Sequence, residues 1–187
     1  HLAWNDRGDR LAFSVVFDAY PAEIFVADLQ SDPPGVRKLP RPDGVHVRGY
    51  GSPIQFLPGG DELLFLAEEK ARVRLVAVNV AGRGAPTLRY LTPGDVVIEQ
   101  FSAGSDAEDP VGVACIRATP TELANVATVA GDGKVRVRSD ANPHTRKWDW
   151  PALSVVSWKG ADGQTVEGFL ELPPGYRKGD RVPLVVE

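Results

Sequence analysis

Short runs of alternating apolar and polar residues, separated by polar turns, make up most of residues 1–139. A period of two is typical of β-strands that bury one face. No segment before residue 151 shows a sustained helical period with caps, so we expect little or no helix there. The predicted strands are Leu11–Phe17, Glu23–Leu29, Glu62–Ala67, Arg74–Asn79, Val111–Ile116, Asn125–Ala130 and Lys134–Arg138.

The turns between these strands are rich in glycine and aspartate. They read Asp6-Arg7-Gly8-Asp9, Pro58-Gly59-Gly60-Asp61 and Gly131-Asp132-Gly133. Glycine adopts a positive φ at no steric cost, and Asp or Asn side chains bond to nearby backbone groups. These turns therefore predict tight reversals between neighbouring strands.

The strands recur as a repeat. The segment that starts at Trp4 aligns with one that starts at Phe56, 52 residues later, and a third, degenerate copy is aligned at Phe101, a further 45 residues on. The first two copies each close on a basic residue followed by leucine, in Arg37–Pro40 and Arg89–Thr92. Four short strands per unit at this period indicate a β-propeller blade.

The predicted fold is therefore mainly β, a partial propeller of about three four-stranded antiparallel blades. A β-sandwich without a true repeat, but with similar turns, is the alternative. Since propellers close with roughly four to eight blades, we expect further blades before residue 1. The chain begins with His1 and contains no methionine, which also favours a truncated reading frame.

Composition narrows the range of partners. The formal net charge of −4 gives no basic footprint for nucleic acid and no attraction to an anionic membrane. No apolar run reaches transmembrane length. We therefore expect neither a nucleic-acid nor a membrane partner. A single cysteine, Cys115, excludes an internal disulfide and leaves the cellular compartment undetermined.

Few residues carry recognisable catalytic chemistry. The α/β-hydrolase nucleophile lies in Gly-x-Ser-x-Gly, which this sequence lacks. The nearest segment is Gly49-Tyr50-Gly51-Ser52-Pro53, where proline replaces the last glycine, so Ser52 is interpreted as a turn residue. The histidines His1, His46 and His144 show no metal-ligand spacing, and the last two are expected in loops. We predict no catalytic, cofactor-binding or metal-binding residue in this chain.

Three further features have a structural interpretation. Glu68-Glu69 could hold an ammonium group, but Lys70 and Arg72 follow at once, which favours a solvated hairpin tip. Cys115 lies in an apolar strand, where a buried small residue is the expected role. The Trp148-Asp149-Trp150-Pro151 segment follows a polar linker and is predicted to plug an interface between two domains.

The C-terminal segment has the most specific pattern. It predicts a strand through Val155–Trp158, an Asp162-Gly163 turn, a strand Thr165–Leu172, a corner at Pro173–Tyr176 and a strand that starts at Pro183. This order resembles the entrance to the catalytic domain of the prolyl oligopeptidase family of serine peptidases. Within the third copy of the repeat, Thr119–Leu123 is similar to an element that this family carries in its late blades. The likeness is greatest to the acylaminoacyl-peptidase and dipeptidyl-peptidase-like branch.

The resemblance implies two parts: residues 1–150 as the C-terminal part of a β-propeller domain and residues 151–187 as the truncated start of an α/β-hydrolase domain. It implies a parent serine peptidase that hydrolyses oligopeptides, with the propeller as a size filter. Because the chain contains no nucleophile motif, the fragment alone is expected to be inactive. Two alternatives remain: a non-enzymatic TolB-like or WD-like propeller for binding or scaffolding, and another α/β-hydrolase such as an esterase.

Overall fold

The computed structural model describes residues 1–17, 20–49, 51–82, 87–104, 112–130 and 133–186. Strand accounts for 52% of the residues and helix for almost none, which confirms the mainly β fold. The described elements are β1 Leu2–Trp4, β2 Arg10–Phe17, β3 Tyr20–Asp28, β4 Gly35–Lys38, β5 Val45–Val47, β6 Gln55–Phe56, β7 Glu62–Glu69, β8 Arg72–Asn79, β9 Leu88–Tyr90, β10 Val97–Ala103, β11 Val113–Thr119, β12 Glu122–Val129, β13 Val135–Val137, the 3-10 helix Pro143–Lys147, β14 Ala152–Lys159 and β15 Thr165–Leu172.

The chain divides into two compact units, His1–Pro143 and His144–Glu187. The first unit contains three antiparallel blades: β1 to β4 form blade 1, β5 to β9 form blade 2, and β10 to β13 form blade 3. In blade 2 the innermost strand is interrupted, because β5 pairs with the end of β7 and β6 pairs with its start. The assignment of residues 1–150 and 151–187 to propeller and hydrolase domains stays a prediction.

Strand register tests the predicted repeat. Trp4 pairs with Leu11 in blade 1 and Phe56 pairs with Leu63 in blade 2, in agreement with the first two aligned copies. In blade 3, however, Ala103 pairs with Val113, at the start of the second strand of that blade. Ala103 therefore takes the position of Trp4 and Phe56, and the alignment of the third copy on Phe101 was wrong by two residues.

The core consists of two layers, one on each side of blade 2. Alternate residues of β7 point to opposite faces, as expected for a strand with both faces covered. Leu63 and Phe65 join the cluster shared with blade 1, whereas Leu64 and Leu66 join the cluster shared with blade 3. Each of these four side chains is at most 1% exposed. Blade 2 is therefore the most deeply buried element of the first unit.

The second unit is a long hairpin with an extended tail. β14 and β15 are paired from Ala152↔Leu172 to Lys159↔Thr165 across the predicted Asp162-Gly163 turn, where Gly163 has a φ of +79°. Trp158 lies over Gly168 and would contact an added Cβ there at 3.1 Å. Large apolar residues on both faces of this hairpin are exposed, such as Phe169 at 57%. Within the described residues, no helix is long and apolar enough to span a membrane.

Candidate functional site

A cleft of about 570 Å³ opens where the innermost strands of the three blades end. We call it the inner-strand cleft. Its walls come from residues 1–6, which contain β1, from residues 53–58, which contain β6, and from Ala103 and Gly104 at the end of β10. The three wall segments lie about one repeat apart in sequence, so the cleft follows from the blade architecture and not from one local motif.

The wall combines aromatic rings with amide groups. Trp4 is 59% exposed and Phe56 is half-buried at the equivalent position of the next blade. Gln55, between Pro53 and Phe56, reaches across to blade 3, where its Oε1 accepts a hydrogen bond from the backbone N–H of Ala103 at 2.7 Å. This bond satisfies an N–H that points away from the paired strand β11, and it ties the wall segments of two blades together.

The rim of the cleft is tied together by a set of bonds between two turns, which we call the turn network. Asp6 accepts a hydrogen bond from the Gly59 N–H at 2.8 Å. Arg7 donates to the Gly59 carbonyl and, at 2.5 Å, to the carboxylate of Asp61. Arg10 donates to the same carboxylate at 2.9 Å. These contacts join the turns of blades 1 and 2 directly.

Asn5 organises the blade 1 side of this network. Its side chain is buried, and its Oδ1 accepts the backbone N–H groups of Asp9 and Arg10 at 3.1 and 3.0 Å. Its Nδ2 donates to the carboxylate of Asp9 at 2.5 Å and to the Gly60 carbonyl at 3.4 Å. An amide has both donors and acceptors, so one side chain serves both turns.

The turn network makes stability depend on pH. The hydrogen bond from Arg7 lowers the pKa of Asp61, and the hydrogen bond from Asn5 lowers the pKa of Asp9. A carboxyl group with a lowered folded-state pKa stabilises the fold above its unfolded pKa, and that contribution is lost as pH falls through the folded pKa. We therefore expect thermal stability to fall below about pH 4.

Asp61→Asn should flatten this acid limb of the stability profile, measured by thermal unfolding from neutral to acidic pH. Arg7→Gln should flatten it in the same way, because Arg7 is the main cause of the shift at Asp61. An acid limb that is unchanged in both variants would rule out the turn network as its source.

The chemistry of the inner-strand cleft suits binding. Its wall presents aromatic and aliphatic side chains, the amide of Gln55 and the carboxylate of Asp6. Serine, cysteine and lysine, the usual nucleophiles, are missing from its described lining. A wall that offers polar and apolar groups side by side can contact a ligand through both kinds of group.

Among the described residues, no catalytic base lies within hydrogen-bonding reach of the Ser52 hydroxyl. The N–H of Ser52 donates to the Gly49 carbonyl at 3.2 Å, as in a turn, and its Oγ is buried without a hydrogen bond among the described residues. Tyr50 of the same motif lies outside the described residues. A serine nucleophile needs a base within hydrogen-bonding reach, so this geometry supports the interpretation of Ser52 as a turn residue.

His46 lies in a strand and not in a loop, contrary to the prediction. It occupies the middle of β5, opposite Glu68 of β7. The two residues line a second, smaller cleft of about 330 Å³ together with Val16 and Pro21. His144 also lies in an element, the 3-10 helix that starts at Pro143. Both positions were missed because strands and helices of so few residues leave almost no periodic signal.

The two adjacent glutamates each pair with an arginine. Glu68 lies 3.9 Å from Arg48, and Glu69 lies 3.0 Å from Arg74 and accepts a hydrogen bond from the Tyr90 hydroxyl at 3.1 Å. Burial, reinforced by Glu69, raises the pKa of Tyr90. Both carboxylates end strand β7, and Lys70 and Ala71 form the hairpin tip instead.

Two remaining predictions concern single side chains. Cys115 is 3% exposed in β11, so its predicted burial is confirmed, and burial raises the pKa of its thiol. In the second unit, the ring of Trp148 lies 5.7 Å from that of Trp150 at an angle of 48°, and the Nε1 of Trp150 donates to the Thr145 carbonyl. Whether these tryptophans plug an interface stays a prediction. Among the described residues no group of three or more His, Cys, Asp or Glu side chains could hold a metal ion.

Comparisons with known proteins show the fold. No family model and no curated protein matches this sequence. The apo structure of the isopeptidase AtxE2 is similar to 97% of the chain, with a TM-score of 0.68 and 14% sequence identity. Acylaminoacyl peptidase from Pyrococcus horikoshii is similar to 87% of the chain, with a TM-score of 0.64 and 15% identity.

TolB from Acinetobacter baumannii is similar to 91% of the chain, with a TM-score of 0.54 and 14% identity. The chain spans only 26%, 23% and 40% of the isopeptidase, the acylaminoacyl peptidase and TolB. The fold is therefore that of peptidase propellers and of TolB. The identities are too low to carry any residue's role from these proteins to this chain.

Proposed function

We propose that this chain belongs to a serine peptidase of the prolyl oligopeptidase type that hydrolyses short peptides. In this proposal residues 1–150 belong to the propeller, which limits the size of the substrate, and residues 151–187 begin the hydrolase domain. The observation that carries the proposal is the order of elements, three blades followed by the β14–β15 hairpin and the Pro173–Tyr176 corner. Coverage of 97% of the chain by an isopeptidase structure supports it.

The inner-strand cleft fits a role in substrate passage. It lies at the ends of strands from three blades, and its described wall offers aromatic rings, amides and a carboxylate but no serine, cysteine or lysine. Peptides present both apolar side chains and backbone amides, so such a wall can contact them without reacting with them. The chemistry would lie on residues outside 1–187, where a serine, a histidine and an acid have to be supplied.

A fluorophosphonate probe, which labels activated serines, tests this proposal. We expect no labelling of purified 1–187 and no release of product from acylated short peptides, because no described residue bonds to the Ser52 hydroxyl as a base would. The product of the complete gene should be labelled and should cleave the same peptides. Labelling of 1–187 itself, or failure of the complete product to react, would refute the peptidase assignment.

A binding or scaffold propeller is the second candidate. The observations that favour it are the similarity to TolB over 91% of the chain and the absence of a nucleophile from the described lining of the inner-strand cleft. The same labelling experiment separates the two candidates, since a binding propeller has no activated serine at any length.

A further inference from the structure

One edge of β6, which we call the inner edge, presents backbone groups to the inner-strand cleft. The Leu57 N–H donates to the Glu62 carbonyl at 2.9 Å, so these two residues form a hydrogen-bonded pair of the β6–β7 ladder. In an antiparallel ladder such pairs alternate with pairs that exchange no hydrogen bond, and the neighbouring pair of Phe56 and Leu63 is of this second kind. The N–H and C=O groups of Phe56 therefore point away from β7, toward the side of β6 that no described strand covers.

The equivalent backbone group in blade 3 is already bound to an amide. Ala103 takes the position of Phe56 there, and the neighbouring Gly104 N–H donates to the Gly112 carbonyl at 2.7 Å. The Ala103 N–H thus also points away from its paired strand, and it donates to Oε1 of Gln55 at 2.7 Å. A side-chain amide carbonyl accepts hydrogen bonds as a peptide carbonyl does. This bond is therefore an example, within the chain itself, of an amide bound at the inner edge of a blade.

The Phe56 N–H has no such partner. Gln55 precedes Phe56 in blade 2, and the residue at the equivalent position of blade 1, before Trp4, is Ala3. The side chain of Ala3 packs against the cluster between blades 1 and 2, so it points toward blade 2 as that of Gln55 points toward blade 3. A methyl group accepts no hydrogen bond. No described residue accepts a hydrogen bond from the Phe56 N–H, and Phe56 lines the inner-strand cleft.

We propose that the inner edge of β6 binds the main chain of an extended peptide. One peptide residue lies opposite Phe56, where its carbonyl accepts the Phe56 N–H and its own N–H donates to the Phe56 carbonyl. Addition of an extended peptide to a free strand edge is a common mode of peptide recognition. The side chains of Phe56, Leu57 and Pro58 line the same cleft and offer apolar surface to the side chains of the peptide.

Recognition through the main chain sets the class of ligand. An extended segment has backbone N–H and C=O groups to offer, whereas a folded protein pairs these groups internally. Every residue except proline carries both groups, so binding tolerates many side-chain sequences. Binding at this edge rests on the proposed function, in which peptides pass through the cleft, and it adds how they are held there. Blade 2 has a described blade on each side, so described residues form the whole edge.

Ala3→Gln tests the site by supplying the missing amide. The longer side chain is expected to bond to the Phe56 N–H, as Gln55 bonds to that of Ala103, and so to compete with the peptide. Fluorescence anisotropy of purified 1–187 with a dye-labelled, acetylated peptide of alanine and leucine residues measures the affinity. We expect Ala3→Gln to raise the dissociation constant about fivefold to tenfold, the effect of one hydrogen bond. Methylation of every backbone nitrogen of the probe should abolish binding, because the Phe56 carbonyl then loses its donor.

Ala3→Met is the matched control, because methionine has nearly the length of glutamine but no carbonyl oxygen. It should leave the dissociation constant unchanged, and circular dichroism establishes that both variants keep their strands. Three results would overturn the proposal: no binding of the probe to 1–187, equal weakening by Ala3→Gln and Ala3→Met, or equal binding of the methylated probe.

The result is separable from that of the serine-labelling experiment. Peptide binding by 1–187, with no labelling of the complete gene product, would refute the peptidase assignment and leave the binding edge in place. Labelling of the complete product, with no binding of the probe to 1–187, would refute the binding edge and leave the peptidase assignment in place.

Discussion

Phe65→Ala is expected to lower the free energy of unfolding by about 3–5 kcal/mol. The ring of Phe65 is 1% exposed and lies in the cluster between blades 1 and 2, where Leu63 and Val76 are fully enclosed as well. Removal of the ring loses its transfer free energy and leaves a cavity that rigid sheets on both sides cannot fill. Urea unfolding followed by circular dichroism measures the loss.

Phe13→Ala is the matched control, since Phe13 takes the same repeat position in blade 1. Its ring stacks on Phe25 at 5.5 Å but is only partly buried. Because the ring is already partly in water, we expect a smaller loss, about 1–2 kcal/mol. Equal losses in the two variants would show that the double coverage of blade 2 adds nothing to stability.

Gly60→Ala is expected to cost about 2–4 kcal/mol, from backbone strain and a steric clash together. Gly60 has a φ of +70°, which side chains other than glycine rarely adopt. An added Cβ would lie 2.6 Å from the Asp6 carboxylate and 2.8 Å from the Asn5 amide nitrogen. Because Asn5 is buried and held by four hydrogen bonds, it cannot move aside without breaking the turn network.

Gly8→Ala separates the two contributions to that loss. Gly8 has the same φ of +70°, but no atom lies within 4 Å of its added Cβ. We expect a loss of about 1–2 kcal/mol, from backbone strain alone. If the turn network resists the added methyl group, Gly60→Ala loses clearly more stability than Gly8→Ala. Thermal unfolding measures both losses, and equal losses would contradict the steric contribution at Gly60.

The second and third strands of blades 1 and 2 could be predicted from sequence because each buries residues with a regular period. β7 and β8 alternate between the two clusters and are joined by a short polar turn, so pattern and turn chemistry agree. Their ends were less certain, since charged residues such as Glu68 and Arg72 continue the pairing beyond the apolar run. The low β-propensity of charged residues would place the end of β7 before Glu68 and the start of β8 after Arg72.

The inner strands could not be predicted from their own pattern. β10 has a bulge between Ile98 and Gln100, so its buried residues Ile98 and Phe101 are three positions apart instead of two. Phe101 was taken as the anchor because it is the aromatic residue of this strand, whereas the equivalent position holds the small residue Ala103. In blade 2 the inner strand is divided into β5 and β6, and each piece is too short to show alternation.

The candidate site lay beyond sequence reasoning for a different reason. The wall of the inner-strand cleft combines segments near residues 4, 55 and 103, and only the strand register brings them together. Gln55 gave no motif at all, because its role rests on one hydrogen bond to the backbone of the next blade. The sequence indicated only that Asn5 belongs to a turn. Its hydrogen bond to the Gly60 carbonyl depends on how blades 1 and 2 pack together.

The unequal faces of blade 2 mean that the blades are not interchangeable modules. Phe65 fits a layer that contains the small residues Ala12 and Ala22, whereas Leu64 and Leu66 fit a layer built with Cys115 and Ala127. A gene in which blades 1 and 3 were exchanged would keep every hairpin and turn but would mismatch side-chain volume in both layers. The sizes of the core residues therefore determine the order of the repeats. A chain with exchanged blades would keep its strands but would lose the close packing between blades.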